Sequence, residues 1–361
     1  MTQHLKGTPH AKAWIKVAGL PLFGLATLAQ AAEITLPPVS VGVWARSDFT
    51  STSVDGVSED VNDFNFRNAE LHIGTSVTEQ IKLNLTVAYD GVSGDTTVID
   101  AIGQFEFSPQ MNIWAGRFLP PSDRANLHGA YFGNAWNFAI DGIQDGFPFV
   151  AAGRNDGIAY WGDFDRLKVS VGVFDVPSTK AGGAEPSDVM YAGRLHLSLW
   201  DIESGYYLNG TYYGEKDILS FGVAAHSISS DTAVTFDALM EKKLAGGGVV
   251  SLEGEYASYK GAAGGYGIPD AFTESSGFFV LGAYLFPQQV GIGKFQVLGK
   301  FVANTYETAG PDIDRDTVEF NLNYVIKGAA ARISLFYIDT SFDGSAAADF
   351  SQIGLGLQLQ I

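Results

Sequence analysis

The sequence predicts an all-β chain: a transmembrane antiparallel β-barrel of about sixteen strands with one loop folded inward. Three observations predict it. Large apolar residues alternate with polar or small ones, as in Ile81–Tyr89, Leu167–Val173, Leu195–Leu199, Val318–Tyr324 and Ile353–Ile361. Period two means that one face of each strand is apolar and the other is not. The polar face carries full charges, among them Glu253, Glu255, Asp237, Glu241, Lys168 and Arg332. Aromatics recur at strand ends, at Phe105, Phe107, Phe118, Tyr256, Tyr284, Phe286, Tyr324 and Tyr337, as an interfacial girdle requires. In a soluble sandwich the apolar faces would meet in a dry interior. Charged inner faces and strands long enough for the ~9–11 residues of a tilted crossing favour the lipid-facing arrangement.

Composition agrees. Charged residues are 17% and aromatics 13% of 361 residues, which excludes a disordered chain. The formal charge of −18 argues against nucleic-acid binding, which needs basic surface. With no cysteine there is no disulfide scaffold, thiol nucleophile or thiolate metal site.

Along the chain, residues 1–31 read as a secretory signal peptide. Lys6, Lys12 and Lys16 precede the apolar run Val17–Leu28, and Ala29-Gln30-Ala31 forms a small-x-small cleavage site. A membrane anchor is the alternative, but Pro21 interrupts the run and a helical span needs ~20 residues. The remaining 32–361 is the barrel. Strands are expected near 39–49, 63–75, 81–90, 97–107, 111–118, 156–164, 167–175, 189–200, 217–229, 232–243, 248–260, 275–286, 293–305, 315–327, 331–343 and 351–361. Short and long connections alternate between them, as in a barrel with short periplasmic turns and longer outer loops. Asp201–Lys216 contains Tyr206, Tyr207, Tyr212 and Tyr213. An even strand count makes it an aromatic periplasmic linker at the membrane interface; the alternative is an additional strand. The longest gap, 119–155, far exceeds the ~12–15 residues of a plain loop. It is too rich in aromatics for solvent, so it is expected to fold into the lumen and narrow it.

Several stretches resemble the phosphate-selective porin O/P superfamily: Ala115–Pro121, Gly210–Leu219, Glu241–Tyr256, Gly293–Gln296, Asn323–Gly328 and Ala331–Leu335. The resemblance implies a sixteen-stranded outer-membrane porin, usually a homotrimer, with a constriction loop inside. It also favours an inward Arg117, which parity leaves open because Trp114 and Phe118 compete for the lipid side. Two features depart from the pattern. Anion-selective members line the pore with Arg and Lys, whereas removing the leader's three lysines leaves 19 basic residues against 40 acids here and takes the charge to −21. The last residue is Ile361, where most such barrels end in Phe.

Catalytic signatures are absent. His72, His128, His196 and His226 lack metal-ligand spacing, and neither a nucleophile elbow nor a phosphate-binding loop occurs. Asp312, Asp314 and Asp316 could bind Ca²⁺, though a solvated acidic loop has the same composition. We therefore expect no enzyme, cofactor or metal, but a passive channel for ions and small hydrophilic solutes. The competing classes are a plugged structural or adhesive barrel and an outer-membrane hydrolase. Alternation places Glu70, Asp100, Glu106, Asp237, Glu241, Glu253, Glu255 and Glu319 inside, against Lys82, Lys168, Arg194, Lys300 and Arg332. In the inserted loop Asp123, Arg124, Asp141, Asp145 and Arg154 are the candidate constriction charges, with Arg117 beside them. These charges either set a transverse field at the narrowest point or tether the loop to the wall. Outer-loop acids such as Asp55, Glu59, Asp60, Asp270 and Asp343 would bind lipopolysaccharide through divalent cations.

Overall fold

Alternation places charge and apolar surface on opposite faces of each strand. A closed sheet is the arrangement that satisfies every backbone group while presenting an apolar exterior. The computed structural model shows this closure, and it describes residues 37–137, 153–175, 189–228, 231–260 and 274–361. The strands are β1 (Val39–Val54), β2 (Val61–Ser76), β3 (Ile81–Asp90), β4 (Thr96–Ser108), β5 (Met111–Phe118), β6 (Asn155–Phe164), β7 (Leu167–Phe174) and β8 (Met190–Ser198). There follow β9 (Ile218–Ile228), β10 (Asp231–Lys243), β11 (Val249–Lys260), β12 (Glu274–Val290), β13 (Gly293–Glu307), β14 (Ile313–Lys327), β15 (Ala331–Asp343) and β16 (Phe350–Gln360). Each pairs antiparallel with its chain neighbour, and β1 closes on β16 in the register Trp44↔Gln360 to Val54↔Phe350. All sixteen expected strands are present, with ends moved by a few residues.

The faces follow the expected parity. Leu83, Val171, Leu195, Phe320 and Leu355 are exposed on the outside, while Glu241, Glu319, Arg332 and Asn323 are buried inside. Arg117 is a correction. It pairs with Ala101, an outward residue, and its guanidinium lies 3.8 Å from the Asp156 carboxylate. Trp114 and Phe118 take the inner face instead and are buried, so Phe118 does not belong to the girdle.

The inner wall also departs from a uniformly polar lining. Strands β4–β8 turn Ile102, Trp114, Phe118, Trp161, Phe174 and Met190 inward as one apolar cluster. Strands β12 and β13 contribute Phe279, Leu281, Leu298 and Val302 to a second. Burying one such side chain stabilises by roughly 1.5–3 kcal/mol, so these patches need a partner inside the barrel.

Two segments supply it. The chain leaving β5 turns inward, and Asp123 caps α1 (Arg124–Phe132) by accepting from Asn126 N at 2.8 Å. Gly129 breaks this helix with φ +60°, a value that disfavours any side chain. The connection between β8 and β9 enters from the opposite, short-turn end. It forms no strand, and Glu203, Tyr206, Leu208 and Thr211 are buried in the lumen. The expectation of an interfacial linker is thus corrected: the tyrosines seek the inner apolar wall rather than the membrane boundary.

Candidate functional site

The loop residues seat on the wall through shape. Ala125 and Ala135 pack on the β12–β13 cluster. Trp136 stacks on Phe336 with ring centroids 5.7 Å apart and planes 13° apart. Room for this stack comes from glycines on the inner face of β16: a Cβ at Gly354 would come within 2.2 Å of Phe336, and one at Gly356 within 2.3 Å of Trp136. From the other segment, Tyr206 lies 4.7 Å from Trp114, ring to ring, and donates to Leu119 O at 2.8 Å.

Charge then locks the two insertions together. Arg124 donates from both terminal nitrogens to Glu203, at 2.9 and 2.6 Å, and also to Asn209 O at 2.7 Å and Ser220 Oγ at 2.8 Å. Both side chains of the pair are fully buried. Burial alone would raise the Glu203 carboxyl; the Arg124 guanidinium overrides it and, with His196, holds it well below the usual carboxylate range. Asp237 is gripped by the Arg194 fork, with Nη2 to Oδ1 at 2.8 Å, and accepts from Arg124 N at 3.2 Å. Gly210 N donates to Phe132 O at 3.0 Å, joining the insertions through backbone.

Most of the expected inner charges serve this docking. Glu255 accepts from Ala125 N at 3.3 Å. Glu253 lies 3.2 Å from His128 Nε2. Lys300 Nζ lies 3.0 Å from Glu319 and donates to Asn137 O at 2.7 Å. Arg332 donates to Gly133 O and Asn134 O at 3.0 and 2.9 Å. Lys168 donates to Gly205 O. Glu106 instead stays within the wall, accepting from Lys82 of β3 and, at 3.1 Å, from Trp114 Nε1 of β5. Asp123 is the helix cap. Asp141 and Asp145 lie outside the described residues.

Three expected residues instead line open space. A cavity of about 800 Å³ remains between the inner faces of β1–β4 and the plug residues Asn126–Phe132 and Tyr207–Asn209. Glu70, Asp100 and Arg154 border it. Arg154 Nε lies 3.6 Å from Asp100 Oδ1. Adjacent on the wall, Trp44 pairs with Glu70, while His72, Thr86 and Asp100 form a row across β2, β3 and β4. Sequence reasoning missed the aromatic side of this cavity, Trp44, Tyr131, Phe132 and Tyr207, because Trp44 lies on a wall strand and the others on plug segments.

A serine–histidine–carboxylate cluster also forms. Ser198 Oγ and Glu203 Oε2 lie 3.3 and 3.2 Å from His196, but both address the same Nε2. A catalytic base is oriented through one nitrogen and acts through the other. Here Nδ1 faces Arg194 Nη2 at 3.4 Å, and the cluster is buried under the plug. No grouping of His, Asp and Glu suited to a metal occurs among the described residues.

No family model and no curated protein matches the chain. Solved structures do. A loop-deletion mutant of the outer membrane protein OmpT of Vibrio cholerae superposes with a TM-score of 0.55 at 12% identity, covering 90% of this chain and 99% of that one. OmpF of Salmonella typhi, in complex with daunomycin, gives 0.55 at 12% over 90% and 98%. The outer membrane channel DcaP of Acinetobacter baumannii gives 0.56 at 12% over 90% and 97%. At that identity the likeness is one of fold: a closed sixteen-strand antiparallel barrel of the porin kind.

Proposed function

We propose that the chain is an outer-membrane channel for passive diffusion of ions and small hydrophilic solutes, assembled as a homotrimer, with 1–31 removed on export. The cavity against β1–β4 carries this reading. It is lumenal space that the described parts of the two insertions leave unfilled, and its wall mixes carboxylates, amides and aromatic rings. The apolar exterior and the porin-type fold support a bacterial outer-membrane location. A plugged structural barrel is the second reading, favoured by the buried Arg124–Glu203 lock and the two apolar seats. Refolded protein in planar bilayers separates them: a channel gives regular conductance steps in KCl, and a plugged barrel gives none.

A further inference from the structure

We propose that the cavity between β1–β4 and the plug is a binding site for small organic cations, ammonium compounds carrying some apolar surface. The inference deepens the channel reading, on which it rests for how a solute arrives.

The cavity corner is built from rings. The Trp44 ring centroid lies 3.8 Å from that of His72, 5.2 Å from that of Tyr131 and 5.3 Å from that of Phe132. Across the space, Tyr207 projects from the second insertion and is 37% exposed although it sits inside the barrel. Aromatic faces carry negative potential and attract a cation within about 6 Å of the centroid, most strongly when it is desolvated.

Acceptors stand beside the rings. Glu70 shares its wall row with Trp44, and its carboxylate borders the cavity. His72 Nε2 is 3.0 Å away, but its own bonding direction is unsatisfied. Asp100 is 8% exposed; its Oδ1 accepts no hydrogen bond and lies 3.6 Å from Arg154 Nε, while the Thr86 hydroxyl bonds the carboxyl. The Asn126 Oδ1 is buried at the same cavity without a donor. Buried acceptors lacking donors cost free energy until one arrives. An ammonium ion brings donors and charge to the carboxylates, and its methylene or aryl surface meets the rings. A phosphate or sulfonate would face two carboxylates against the single Arg154. A neutral sugar could stack on the rings but would leave the carboxylate charge unanswered.

Equilibrium binding to the refolded full-length protein in detergent tests this independently of conduction. Titration calorimetry with benzyltrimethylammonium is expected to give saturable binding at least tenfold tighter than with benzenesulfonate or glucose. Glu70→Gln and Trp44→Leu should each weaken it about fivefold or more, with heat-modifiable gel mobility confirming the folded barrel. Equal affinity for cation and sulfonate, or tighter binding of glucose, would overturn the proposal with wild-type protein alone, whether or not a variant folds. Undiminished affinity in folded Glu70→Gln would also overturn it. Regular conductance steps without cation binding would remove the site and keep the channel. Binding without conductance would remove the channel and keep the site.

Discussion

At the scale of single residues, the most consequential side chain is Arg124. It bonds two segments that arrive from opposite ends of the barrel, and its fork meets Glu203 in full burial. Removing one partner of such a pair strands the other charge and costs about 3–5 kcal/mol, whereas replacing both with apolar groups can be nearly neutral. Arg124→Ala is therefore expected to lower the urea midpoint for release of the plug, read by tryptophan fluorescence. Arg124→Met combined with Glu203→Leu should recover most of the loss, because Asp237 keeps its Arg194 partner. The same pair fixes a pH dependence. A carboxyl whose folded pKa is depressed stabilises the fold above its unfolded value, about 4.3 for glutamate, and that contribution is lost as pH falls through the folded value. The Glu203 carboxyl is held well below that range, so its contribution to holding the plug should stay constant from pH 7 to about 4.5 and be lost only in stronger acid. Glu203→Gln should lack that acid step.

Among the elements, strands were legible and insertions only half so. A strand declares itself through local alternation, which is why Leu195–Leu199 and Val318–Tyr324 were readable without any tertiary information. Facing was ambiguous where both sides are apolar, as at Trp114 and Phe118, since the inner apolar seat exists only because Tyr206 and Leu119 fill it. The aromatic density behind the expectation that 119–155 folds inward, met at 119–137 while 138–152 lie outside the described residues, also marks Tyr206–Tyr213. Strand parity alone assigned that segment to the interface, and parity says nothing about which way a connection turns. The charges were placed on the right face, but which of them tether the plug and which line open space depends on where both insertions sit. The two insertions can be separated by experiment. Deleting 125–150 removes α1 beyond Arg124, with the Ala125 and Ala135 that pack on the wall, and should raise single-channel conductance several-fold in a folded barrel. Replacing 203–212 by a short Gly-Ser link should raise it too, and should loosen α1 to protease by removing the Glu203 partner. Unchanged conductance after both changes would show that neither element limits the current.

For the whole molecule, the outstanding quantity is selectivity. The chain carries a formal charge of −18, and a low-dielectric wall focuses such a field on a passing ion. Screening within about 8 Å at physiological salt makes the narrowest stretch decisive. The structure reduces the basic patch that could oppose cations. Arg117 faces outward beside Asp156, and Arg124 is enclosed by Glu203 and Asp237. That leaves Arg154, 3.6 Å from Asp100, as the basic side chain of the patch that borders the cavity, against Glu70 and Asp100. A weak preference for cations is expected, rather than the phosphate selectivity suggested by the family resemblance. Reversal potentials in a KCl gradient should have the sign of cation permeation and shift further that way in Arg154→Ala. Asp100→Asn with Glu70→Gln should move the value toward zero. An anion-permeable sign in the wild type, abolished by Arg154→Ala, would mean that one arginine at the constriction outweighs both the local carboxylates and the charge of the whole chain.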